Sequence, residues 1–202
     1  MSKATQTDAM GSIQRGIKRT LDFVMSALGL ILLSPIFIII SVLMKFQGNG
    51  PIFFRQIRIG YKGKPFVILK FRTISKKTEK NTPQLIAKTS CKSSTPFEKF
   101  LREHHLDELP QLWNVLVGDM SLVGPRPERK YFIDKIMEHT DLYTVIYNMR
   151  PGLTSEATLY NGYTDTMEKM LKRLQMDISY FERRSLWLDF KIIIKTFVNI
   201  IS

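Results

Sequence analysis

Apolar positions are spread unevenly along the chain. From Phe23 to Met44 they run for 22 residues without a charged side chain (FVMSALGLILLSPIFIIISVLM). A straight helix of that length reaches about 33 Å, enough for a hydrocarbon core of about 30 Å. Ser34-Pro35 interrupts it. Proline lacks a backbone N–H and its ring clashes with the preceding turn, so the pattern predicts helix–break–helix, each half too short to cross alone. Arg15, Lys18 and Arg19 precede the run and Lys45, Arg55 and Arg58 follow it. Positive flanks favour the cytoplasmic side, so both ends ask to stay there. A re-entrant hairpin satisfies both observations; a kinked span is the alternative, since membrane helices tolerate proline. No small-residue cleavage site follows Met44, which sets a signal peptide aside.

After the run the periodicity changes. Residues 52–59 (IFFRQIRI) and 66–71 (FVILKF) read as strands joined by GYKGKP, with Gly60 and Gly63 at the turn. Residues 75–96 are polar and aperiodic, as in a surface loop. Phe97 to His105 reads as a short helix, and 128–148 as helical with an interruption at Thr140-Asp141. In 165–184, Met167, Met170, Leu171, Leu174, Ile178 and Phe181 recur at helical spacing and form one apolar face. In 184–201 Arg184, Lys191, Lys195 and Asn199 form a narrow polar stripe in a wide apolar surface. That pattern suits a helix lying in a membrane interface or one buried in a core. The expected fold is mainly α with a small β-hairpin (α+β): an N-terminal tail over 1–17, a re-entrant membrane hairpin over 18–46, and a compact cytosolic catalytic domain with interfacial helices over 47–202.

Charge sharpens this layout. The chain of 202 residues carries a net charge of +12, and nearly all the excess falls between residues 45 and 99, directly after the apolar run. A cationic block there attracts anionic headgroups by about 1 kcal/mol per side chain near the surface. The same charge would suit nucleic acid, but the apolar run argues against that partner. A single cysteine, Cys91, excludes an intrachain disulfide.

Candidate chemistry concentrates in one stretch. Phosphate-binding glycine loops, a zinc-binding H-E-x-x-H and a serine nucleophile elbow are absent. In 106–128 (LDELPQLWNVLVGDMSLVGPRPE), Asp107 and Glu108 are adjacent carboxylates, set between Lys70, Arg72 and Arg102 upstream and Arg126, Arg129 and Arg150 downstream. Two carboxylates among arginines make sense where a hard divalent cation and phosphate oxygens complete the site. One carboxylate could then attack phosphorus. An exposed Asp-Glu pair with scattered surface arginines is the plainer alternative.

The sequence resembles the bacterial sugar transferase family, the monotopic phosphoglycosyl transferases that begin surface glycan assembly on a polyprenol carrier. The resemblance rests on KRTLDF, Ser34-Pro35, GPIFFRQIRIGYKGKPF, KFRT at 70–73, the 106–128 stretch and RPGLT at 150–154, and runs from about Lys18 to Ile201. It implies that Asp107 attacks the β-phosphate of a UDP-sugar, expelling UMP, and that polyprenol phosphate then displaces the aspartate. Glu108 would be its dyad partner, with Mg²⁺ bound by Asp107 and Glu108. Arg102 and Arg126 match phosphate-handling positions, Pro125 and Pro127 fix the loop of Arg126, and Lys70 and Arg72 match a segment near the lipid phosphate. Ser34 and Pro35 match the break of a re-entrant hairpin.

The resemblance further implies a bacterial inner-membrane protein on the cytosolic face, of minimal form. Its expected partners are a UDP-sugar, polyprenol (undecaprenyl) phosphate, membrane lipids, a second copy of the chain and later glycosyltransferases of the pathway. The match lapses at 154–163. There TSEATLYNGY replaces the usual T-G-x-A-Q-V-N-G-R, with Ser155, Thr158 and Tyr163 for the glycine, glutamine and arginine. The missing arginine's work would pass to a cation such as Arg150. A catalytically silent scaffold is the competing expectation.

Overall fold

The computed structural model describes residues 7–47, 50–73, 95–161 and 166–201. The polar stretch 75–94, with Cys91, lies outside these. Helix α1 (Ser12–Leu32) starts eleven residues before the apolar run does. Its first half is amphipathic, with Ile13, Ile17 and Leu21 exposed in line with Val24 and Leu28. Helix α2 (Ser34–Phe46) follows at a bend of 58°. Pro35 sits in the first turn of α2, where its missing N–H interrupts nothing. Among the described residues no single helix is long and apolar enough to cross a membrane, while α1 and α2 together could form a broken span or a re-entrant loop.

The expected hairpin is present. Strand β1 (Phe53–Ile59) pairs antiparallel with β2 (Pro65–Phe71), with Phe54 opposite Lys70 and Ile57 opposite Val67. Helix α3 (Pro96–Glu103) begins at a capping box, in which Thr95 Oγ1 accepts the Glu98 amide and Glu98 answers on the Thr95 amide. Helix α5 (Lys130–Met137) and a 3-10 stretch (Asp141–Asn148) reproduce the interrupted pattern of 128–148, the second starting at its Thr140 cap. Helices α7 (Met167–Arg183) and α8 (Leu186–Ile201) also form as the spacing predicts.

The segment 106–128 resolves into elements that periodicity did not separate. A 3-10 turn (Leu106–Glu108) leads into helix α4 (Gln111–Val117), then β3 (Ser121–Val123). Strand β3 pairs in parallel with β4 (Gly152–Thr154), giving a second two-stranded sheet. A Cβ on Gly152 would lie 2.1 Å from the Gly124 amide nitrogen, so only glycine allows this approach. Helix α6 (Glu156–Asn161) follows, in the stretch where the family pattern lapses.

Three apolar clusters hold these parts together. The largest joins α5, the 3-10 stretch, α7, α8 and β3 around Ile133, Ile146, Leu174 and Phe181. The second, of Ile40, Met44, Phe71 and Leu101, ties α2 to β2 and α3. The third packs Ile68 on Val115 and Met120. Helix α8 answers both readings of its pattern: Ile192 is buried in the core, while Trp187, Phe190, Phe197 and Val198 are exposed.

Candidate functional site

The acidic pair lies at the start of the α4 segment, in a turn that begins with a left-handed residue. His105 has φ 54°, which reverses the chain after α3 and turns Asp107 inward. Asp107 is 7% exposed, and no described residue hydrogen-bonds its carboxylate. Its neighbour is engaged through one oxygen: Lys70 Nζ lies 2.5 Å from Glu108 Oε1, and the Arg126 guanidinium 3.5 Å from the same oxygen.

These environments push two adjacent carboxyls apart. Burial raises the Asp107 carboxyl above the usual aspartate range; Lys70 opposes this and the Glu108 charge reinforces it. Burial would raise Glu108 too, but Lys70 and Arg126 outweigh it and hold the group at about 2. Glu108 is therefore a fixed anion, and Asp107 an uncommitted carboxyl beside it. Arg126 keeps its charge firmly, chiefly through Glu108. Its side chain is still 37% exposed, so donors of its fork remain open to an incoming anion.

The loop carrying Arg126 is pinned on both sides. The Gly124 amide donates to Thr154 O, the Gly152 amide to Pro125 O, and the Ile59 amide to Glu128 O. Behind it, Glu128 Oε1 accepts from Arg173 at 2.8 Å, and Arg58 lies 3.7 Å from Oε2 while donating to Pro127 O at 3.0 Å. Asp177 is buried behind this group, where desolvation raises its carboxyl to about 8 despite Arg173. Pro125 and Pro127 thus present carbonyls that hold the loop.

The other sequence-selected cations fall elsewhere. The Arg150 Nε donates to Gly118 O at 3.0 Å and its guanidinium lies 5.1 Å from the centre of the Tyr61 ring. Arg72 lies over Gly50, at the entrance to β1. No contact between either side chain and the acidic pair is found among the described residues. Arg102 closes the last turn of α3, its carbonyl accepting the His105 amide. In the lapsed segment, Glu156 pairs with Arg183 at 2.7 Å and Lys195 donates to Tyr160 Oη at 2.6 Å. Tyr163 lies outside the described residues.

Three cations flanking the apolar run are engaged within the protein. Arg19 donates to Val115 O and Leu116 O at 2.7 and 2.8 Å, and Lys18 lies 2.6 Å from Asp189. Arg58 is half-buried, and desolvation lowers its guanidinium to about 10. These side chains are spent inside the protein; of the three, only Arg58 belongs to the block of 45–99 that was expected to meet headgroups. The roles of Glu128, Arg173 and Asp177 were not legible either. Only the place of Glu128 in the long motif and the alternation along β1, which puts Arg58 on the inner side with Phe54 and Gln56, offered a signal.

Among the described residues, a buried carboxyl without a hydrogen bond thus stands beside a clamped one, faced by a partly open arginine that can receive an anion. Comparison with known proteins shows the family. The bacterial sugar transferase family model matches residues 13–202, and the chain belongs to that family. A UDP-glucose:undecaprenyl-phosphate glucose-1-phosphate transferase of Klebsiella pneumoniae is 40% identical over 190 residues, covering 93% of this chain and 40% of the relative. The protein of the same name from Caulobacter vibrioides is 40% identical over 188 residues, covering 92% of this chain and 70% of the relative. A UDP-N-acetylgalactosamine-undecaprenyl-phosphate N-acetylgalactosaminephosphotransferase of Aeromonas hydrophila is 35% identical over 186 residues, covering 92% and 44%.

Proposed function

We propose that this chain transfers a phosphosugar from a UDP-sugar to undecaprenyl phosphate at the cytosolic face of the bacterial inner membrane. The observation that carries the reading is the buried Asp107 carboxyl, without a hydrogen bond among the described residues, beside Glu108, which Lys70 and Arg126 hold. The names of the relatives supply the substrate class.

In the first step an Asp107 carboxylate oxygen attacks the sugar-bearing phosphorus. A P–O bond forms to Asp107, the bond to the bridging oxygen breaks, and UMP leaves with that electron pair. In the second, an oxygen of undecaprenyl phosphate attacks the same phosphorus and Asp107 departs as a carboxylate. Splitting the transfer means the two anionic substrates need not be bound together. Arg126 and Lys70 supply fixed positive charge where negative charge gathers. Glu108 keeps Lys70 and Arg126 oriented and stays ionised throughout.

The donor set fits a magnesium ion that completes its shell with substrate oxygens and water. Asp107 and Glu108 offer hard carboxylate oxygens, and among the described residues no cluster of three acidic, histidine or cysteine ligands could hold an ion unaided. When bound, such an ion would neutralise charge on the diphosphate.

A lipid phosphate sits at headgroup depth, so the site must be held there. The bent α1–α2 pair and the exposed apolar faces of α1 and α8 fit a re-entrant, monotopic mounting. The test is UMP release from a panel of UDP-sugars, with detergent-solubilised protein, undecaprenyl phosphate and Mg²⁺. Release that vanishes in Asp107→Asn supports the reading. Release undiminished in that variant overturns the nucleophile, and silence across the panel overturns the activity in favour of a scaffold.

A further inference from the structure

Three charged side chains lie within one turn and a half of α1, and each grips a different part of the protein. Lys18 reaches Asp189 on α8. The Arg19 fork takes the carbonyls of Val115 and Leu116, in the last turn of α4. Asp22, buried, accepts from Ser121 Oγ at 2.7 Å and from the Leu122 amide at 3.0 Å, on β3.

The grips of Arg19 and Asp22 lead to opposite halves of the site. From Val115 the helical ladder runs back through Trp113 to Pro110, Leu112 to Leu109 and Leu109 to Leu106, so α4 and the turn bearing Asp107 and Glu108 form one continuous segment. From Leu122 the chain passes in four residues to Arg126. Close packing adds to the grip: Leu112 lies 3.3 Å from where a Cβ on Gly29 would stand. The opposite side of the same helix carries the exposed apolar row Ile13, Ile17, Leu21, Val24 and Leu28.

We infer that Arg19 and Asp22 are positioning residues for the transfer site: they fix Asp107 and Arg126 against a common turn of the helix that enters the membrane. Arg19 acts through its fork on two carbonyls, not through its charge on lipid. This couples the depth of α1 in the bilayer to the relation between the acidic pair and the arginine that faces it. A displacement of about 1 Å between reacting groups can cost about a hundredfold in rate, so a rigid common mount has catalytic consequences.

The turnover arm of the test rests on the proposed transferase activity; the exchange arm does not. The full chain would be reconstituted with vesicles containing phosphatidylglycerol, as wild type, Arg19→Lys and Arg19→Gln. Lysine keeps the charge but cannot reproduce the fork. We expect all three to float with the vesicles. Both variants should lose about tenfold or more in kcat, with the KM for the UDP-sugar within about twofold. Amide exchange should quicken across residues 112–123 and stay unchanged across 132–148, which excludes general unfolding. Wild-type kcat and exchange in Arg19→Lys would overturn the inference, as would loss of flotation in Arg19→Gln with exchange unaltered. If the wild type releases no UMP, the activity fails, and exchange at 112–123 still decides the positioning role.

Discussion

The protein contains two neighbouring clusters of buried charge, and their difference separates a site from a scaffold. In the rear cluster Glu128 is committed on both oxygens, to Arg173 and toward Arg58, and Asp177 behind it holds its proton to about pH 8. In the front cluster Glu108 is committed to Lys70 and Arg126, but Asp107, equally buried, has no hydrogen-bond partner among the described residues. Desolvating a carboxyl without a partner costs free energy. Asp177 in the rear cluster is also without a hydrogen bond among the described residues, and Arg58 Nε and Arg173 Nε are unsatisfied there, so what sets the front cluster apart is the partly open Arg126 beside its carboxyls.

The comparison is broken most severely at Asp107. Asp107→Asn should lower UMP release by about a thousandfold or more while leaving the melting temperature within a few degrees, measured by donor turnover and by thermal unfolding. The reverse pattern is expected behind the loop. Glu128→Gln strands two buried guanidinium groups and should cost about 3 kcal/mol of stability, read from the denaturation midpoint. Activity in that variant should fall too, because the loop of Arg126 loses its backing.

Lys70→Met sharpens the distinction within the front cluster. It removes the cation on Glu108 Oε1, and turnover should drop about a hundredfold or less, with donor binding, measured by titration calorimetry in Asp107→Asn to prevent reaction, weakened only several-fold. The smallest effect is at Asp177. Folded, it keeps its proton until about pH 8; unfolded, it releases it near 3.8. The folded state therefore holds the extra proton in between, and this group's contribution makes stability fall as pH rises from about 4 to about 8. Asp177→Asn should remove that slope and be more stable than wild type at pH 8, with no gain near pH 4; melting temperatures across that range check it.

Local pattern carried much of the fold. The break at Ser34-Pro35, the hairpin of 53–71, the interruption at Thr140 and the helices of 167–201 all follow from short-range rules: proline geometry, alternation, capping and helical spacing. The segment 106–128 resisted, since its turn, α4 and β3 are each only three to seven residues long, too short for a pattern to repeat clearly. Strand β4 was invisible for the same reason, and its parallel pairing with β3 depends on Gly124 and Gly152 meeting across a gap of nearly thirty residues.

The sequence by itself determined the candidate acidic pair, its setting among cations, and an apolar segment that cannot run straight. Only the tertiary structure decided which cations serve that pair. Lys70 reaches Glu108 across 38 residues, and Arg19 reaches α4 across 96. Arg150 and Arg72, no less basic and no less well placed along the chain, are directed elsewhere by Gly118, Tyr61 and Gly50. The physical reason is that a charge attracts any opposite charge, so sequence proximity does not choose its partner. The choice is made by burial, which removes water as the competing partner for the few groups that packing brings together.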